Sequence, residues 1–150
     1  MPRRSKAQEL LDFEIGFYER LLRSYPAFID VLIALGDAYT RRGLHEQGLR
    51  VDLRLTELRT SDPLVWYNLA CSYSLLQQVD ESLGALRRSI ELGYTDVRYF
   101  QTDPDLRHLR QSPKYHQFLQ SIAVLHSSRQ APACESKNET GVAPADPQSS

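Results

Sequence analysis

Nucleophilic, redox and metal chemistry would fall first to two cysteines, Cys71 and Cys134, and four histidines, His45, His108, His116 and His126. A zinc site built on one helix needs two histidines four residues apart, or cysteines in close pairs. Neither spacing occurs, although His108 and His116 flank a turn at which they could meet. The cysteines give no disulfide framework. Cys71 has no basic neighbour in sequence to draw off its proton, so it reads as a buried, inert thiol. No Gly-rich phosphate loop, no G-x-S-x-G turn and no paired-carboxylate signature is present. Tyr94, Tyr99 and Phe100 gather beside Arg98, a combination that can stack nucleic-acid bases. The net charge of −1 supplies no field to bring a polyanion there, so these rings read as packing. The chain is therefore expected to be no enzyme, to carry no cofactor or metal, and to bind neither nucleic acid nor membrane.

The elements that would position any binding residue are helices. Trp66, Leu69, Ala70 and Tyr73 recur 34 residues earlier as Leu32, Leu35, Gly36 and Tyr39. Gly36 and Ala70 allow close approach of a second helix, and the leucines and tyrosines fill the space between. A helix is expected from about Ala7 to Ser24, its apolar pairs Leu10/Leu11, Phe17/Tyr18 and Leu21/Leu22 forming one stripe. It ends at Tyr25-Pro26, since a residue before Pro avoids helical dihedrals. It is either the second half of a repeat or an ordinary leading helix.

The next helix, about Ala27 to Arg42, buries Phe28, Leu32, Leu35 and Tyr39, and Gly43 stops it. Its partner, Leu44 to about Arg59, carries Leu49, Leu53 and Leu58 as its stripe; Asp52 either pairs with Arg50, Arg54 or Arg59 or, the simpler expectation, is solvated. Asp62-Pro63 opens a helix to about Gln77, and Asp80 caps another to about Leu92, with Leu83, Leu86 and Ile90 inward and Gly93 as its stop. Asp96, Asp103 and Ser112 read as caps of short turns near 97–101 and 104–110 and of a helix from Pro113 to His126. Tyr115, Phe118, Leu119, Ile122 and Leu125 face inward there, and Leu106 and Leu109 help seal the end.

Residues 1–6 are polar and expected to fray, leaving 7–126 as one helical domain. From Ser127 to Ser150 the chain is rich in Ser, Ala and Pro and too poor in large apolar residues to fold, so a disordered tail is expected. Asn138 heads an N-E-T glycosylation pattern that carries no weight without a secretory signal. Hydrophobic residues at 41% and charged residues at 25% place the chain among ordinary globular proteins. No apolar run approaches the roughly 18 residues of a membrane span. The leading residues have no apolar signal core, so a reducing cytoplasm is expected.

The 34-residue interval and the W-x2-L-small-x2-Y pattern are those of tetratricopeptide repeats. The chain resembles that family over about residues 7–125, and a bacterial subset of it in LGDAYTRRGL, VWYNLACSYSLL, ELGYTD and TDPDLRHLRQSPKYHQFL. The resemblance implies an all-α, short right-handed solenoid of helical hairpins with a helical C-terminal cap. Asp52 in an apolar slot and Tyr94 in place of the closing Pro depart from the pattern.

The resemblance also implies a protein-interaction role on the concave face, lined by the first helix of each hairpin. Asp30, Ile33, Asp37 and Arg41 would line one turn of that groove; Leu64, Tyr67, Asn68, Cys71 and Ser74 would line the next. The Asn68 amide can pair with an extended peptide backbone, or serve the repeat's own packing. Ile33 and Asp37 stand where family members that grip a C-terminal carboxylate carry Lys and Asn, so no such clamp is expected. Asp30 and Asp37 suit a basic partner better. The alternative role is self-association through the exposed ends of the array, giving a homo-oligomer.

Overall fold

Ser5 begins the first helix with a reciprocal cap. Its Oγ accepts from Gln8 N at 3.2 Å while Gln8 Oε1 accepts from Ser5 N at 3.1 Å, satisfying two otherwise orphaned donors. The structure, a computed structural model, describes residues 2–129. All regular elements among them are helical: α1 Lys6–Ser24, α2 Ile29–Arg42, α3 His45–Leu58, α4 Pro63–Leu75, α5 Val79–Glu91, α6 Arg107–Arg110 and α7 Pro113–Arg129. Two 3-10 turns, Val97–Gln101 and Pro104–Leu106, lead into α6. The order of helices matches the expectation, and each of α1 to α5 packs on the next in the chain.

Two apolar clusters form the core. The first joins α1 to α4 through Ile15, Leu32, Leu35, Tyr39, Leu55 and Val65. The second joins α4 and α5 to the C-terminal turns and α7, around Leu69, Leu86, Phe100, Leu106, Leu109 and Tyr115. Phe118 and Ile122 belong to it, so α7 packs on this cluster with the face expected to turn inward. Two serines replace bulk with hydrogen bonds: Ser82 Oγ donates to Ala70 O and Ser89 Oγ to Pro63 O, both at 2.7 Å, tying α5 to the backbone of α4.

Several helix faces differ from the expected ones. In α1 the apolar residues split into two stripes. Ile15, Leu11, Tyr18 and Leu22 pack on the core, whereas Leu10, Phe13 and Phe17 face away and are 63%, 70% and 46% exposed. Phe28 precedes α2 and is exposed. In α3 the expected Leu49 and Leu58 pack on the core, partly buried, but Leu53 is exposed; lying between α2 and α4, the helix buries Val51, Asp52, Leu55 and Thr56 most deeply.

The α4 helix ends at Leu75, two residues short of the expectation, because Gln77 adopts a left-handed φ of 60° in the turn. Gln78, not Asp80, occupies the cap position of α5; Asp80 instead meets Lys114 of α7 at 2.7 Å. Leu125 is exposed, since α7 has run past the body it packs on. Gly43 supplies the expected left-handed stop, with φ 80°. Residues 127–129 belong to α7, and the rest of the expected tail, with Cys134 and Asn138, lies outside the described residues.

Candidate functional site

The side chains capable of binding converge on a cavity of about 580 Å³. Three helices and the cap wall it. Ile33 and Asp37 come from α2, Asp52 and Leu55 from α3, and Leu64, Tyr67 and Asn68 from α4. Tyr94, Tyr99, Asp103 and Asp105 close it from the C-terminal side. The α2 and α4 residues arrive together because α3 brings the two helices round to the same side of the array.

The nine sequence-predicted groove residues divide by exposure. Ile33 and Leu64 line the cavity and are exposed, forming its apolar rim. Asp37 lines it too, held by Arg41 Nε at 2.7 Å. Asn68 lines it half-buried, and its amide makes no hydrogen bond with any described residue. Tyr67 and Cys71 reach the cavity as buried floor, 4% and 7% exposed, not as presented side chains. Asp30 and Arg41 fall outside it; Arg41 turns toward Glu14 of α1, 3.2 Å away. Ser74 corrects the expectation most fully. It is buried, and its Oγ accepts from Leu109 N at 3.3 Å, fastening α4 to the cap. It lies one helical turn past Cys71, where the cap already covers α4.

The floor is a polar network inside an aromatic frame. Tyr67 Oη donates to Asp103 Oδ2, and Cys71 Sγ lies 3.7 Å from the same oxygen. Asp103 Oδ1 accepts from Asp105 N at 2.9 Å, so this one carboxylate both caps a turn and anchors α4 to it. Arg110 Nη1 donates to the carbonyls of Phe100 and Asp103, at 2.8 and 2.6 Å. Tyr67 stacks on Tyr94 and Phe100, with centroids 4.8 and 5.7 Å apart. Burial pushes the Tyr67 and Cys71 ionisations up, helped in both cases by neighbouring negative charge, so both stay protonated near neutrality.

Asp52, expected to be solvated, is buried, only 8% exposed as a residue. Ser72 Oγ donates to Oδ2 at 2.5 Å, while Oδ1 has no hydrogen-bond partner among the described residues. Burial pushes its pKa up to about 6, and the Ser72 hydrogen bond opposes that only in part. Asp105 is also raised, first by burial and then by the charge of Asp103, with His45 acting against both. The available signal was the acid in an apolar slot of the 34-residue pattern.

Cys71, Asp103 and Asp105 offer ligand atoms within 4.8 Å of one another. They suit a metal poorly. The thiol is held protonated, and both oxygens of Asp103 already accept hydrogen bonds. Cys71 is a free thiol.

No protein-family profile matches this chain. It is 33% identical over 93 residues to a chloroplastic protein of Arabidopsis thaliana. That match takes in 58% of this chain and 27% of the plant protein, so the chain spans about a quarter of that relative's length. Among the described residues no helix is long and apolar enough to cross a membrane.

Proposed function

We propose that this chain is a non-catalytic adaptor of tetratricopeptide-repeat type, which holds an extended segment of another protein in the cavity between α2, α4 and the cap. The observation that carries this reading is Asn68. Its amide offers two donors and an acceptor, lines the cavity, and is used by nothing else described. An extended backbone presents complementary groups along its length. Ile33 and Leu64 add apolar contact at the rim. The acidic lining disfavours phosphate backbones, which supports a protein partner over nucleic acid. A reducing compartment, such as the cytoplasm, fits the free Cys71.

Site-specific photo-crosslinkers test the reading. Placed at Ile33 and at Leu64, they should capture one common partner in cells that express the chain. Placed at Glu57, exposed on α3 and outside the cavity, they should not. Capture at Glu57 alone, or at none of the three, would refute a partner in this cavity.

One observation favours a second reading, self-association through the N-terminal end of the array. Leu10, Phe13 and Phe17, spaced by three and four, form an outward apolar stripe on α1 with nothing described packed over it. On that reading the mass by light scattering is dimeric and falls to monomeric in Phe13→Glu. A monomer at every concentration excludes it.

A further inference from the structure

We propose that the cavity is built to receive a cationic side chain, Lys or Arg, carried by the bound segment. The inference rests on the peptide-binding reading above and specifies its partner. Four carboxylates, Asp37, Asp52, Asp103 and Asp105, line the cavity, and none of its lining residues is Lys, Arg or His. Arg41 offsets Asp37 from outside, leaving the other three without a basic side chain in salt-bridge contact among the described residues.

Acidic residues gather on many surfaces without binding anything. The independent observation here is Asp52, a residue only 8% exposed that borders the cavity. Its Oδ1 is unbonded, and no positive charge is near enough to lower its ionisation. An isolated buried carboxylate costs stability unless a cation joins it. The chain itself supplies no basic side chain to this cavity: Gly36 of α2 faces Asp52, Ser72 of α4 donates to it, and the protonated Cys71 lines the same cavity.

The remaining walls suit the stem and head of such a side chain. The apolar rim of Ile33 and Leu64 can cover methylene groups, which long basic side chains bury while keeping the charged head in a polar setting. Tyr99, half-exposed at the mouth, offers a ring face to an ammonium or guanidinium group. Asn68 then holds the backbone on which that side chain is carried.

The test is a selection of displayed short random peptides on the full chain at pH 7.5, with the double variant Ile33→Ser/Leu64→Ser as the counter-target. Both positions are exposed, and circular dichroism on the double variant should match the wild type. Enriched peptides should share a Lys or Arg at one position. Replacing it with norleucine or citrulline should weaken binding by about tenfold or more. Asp52→Asn should weaken the parent peptide equally and leave the norleucine or citrulline peptide unaffected, the mark of a direct pair. Binding of the parent should also fall as the pH drops from 7.5 to 5, and that fall should shrink in Asp52→Asn.

Peptides that enrich only on the wild type but share no cation, or that ignore Asp52→Asn, would overturn this inference and leave the groove standing. No enrichment over the counter-target would overturn both. Circular dichroism on Asp52→Asn separates lost binding from lost fold.

Discussion

Removing the charge of Asp52 should make this protein more stable, by an amount that depends on pH. The carboxyl ionises near 3.8 when unburied and at about 6 in the folded chain. Between those values the native state holds a proton that the unfolded chain has released. Stability therefore falls as pH rises through this window and levels off above it. Each pH unit between the two ionisations is worth about 1.4 kcal/mol, so the cost at pH 8 is about 3 kcal/mol. Asn has the same shape and can still accept from Ser72 through its carbonyl oxygen, without the charge. Thermal or urea unfolding of wild type and Asp52→Asn, followed by circular dichroism from pH 4 to 8, reads the difference. The two should coincide near pH 4. At pH 8 the variant should be ahead by about 3 kcal/mol, roughly 10 °C in midpoint. Asp105 and the surface pairs are common to both chains and cancel in the comparison. A constant gap across the range, or a variant less stable at pH 8, would refute the assignment of a buried, uncompensated charge.

Three further outcomes follow from single residues. Phe100 is fully buried and stacks on Tyr67 and Tyr94, so Phe100→Ala should cost about 3–5 kcal/mol in urea unfolding and loosen the cap. Gln77 sits at φ 60°, a conformation glycine enters freely, and Gln77→Gly should raise stability by up to about 1 kcal/mol. The hydroxyl of Tyr115 is buried with no partner among the described residues; Tyr115→Phe should gain about 1 kcal/mol, measured the same way.

The helices were legible because their signals are local. Asp62-Pro63, Gly43, Gly93 and the Asp96, Asp103 and Ser112 caps act within a few residues of where they stand, and each holds in the structure. Which side of a helix faces inward was less legible. Leu53 and Leu10 obey a helical spacing yet point outward, because the inward face is chosen by neighbours distant in sequence. Helix α3 shows this most plainly, since contacts with α2 and α4 together fix its rotation.

The lining of the cavity was half legible for the same reason. The repeat interval locates Ile33, Leu64 and Asn68 on the cavity. It does not foresee the cap arriving over Tyr67, Cys71 and Ser74, which converts presented side chains into floor and fastening. Asp103 reads as a cap from its following Pro. Its bond with Tyr67 spans 36 residues of sequence, and no local pattern records it.

Whether a partner segment lies in this cavity can be read from a titration of the ¹⁵N-labelled chain with a selected peptide, followed by amide chemical shifts. The perturbed amides should gather around Ile33, Asp37, Leu64, Asn68 and Tyr99, while α1 and the outer side of α5 stay still. Perturbations centred on Leu10, Phe13 and Phe17, with the cavity unchanged, would contradict that placement.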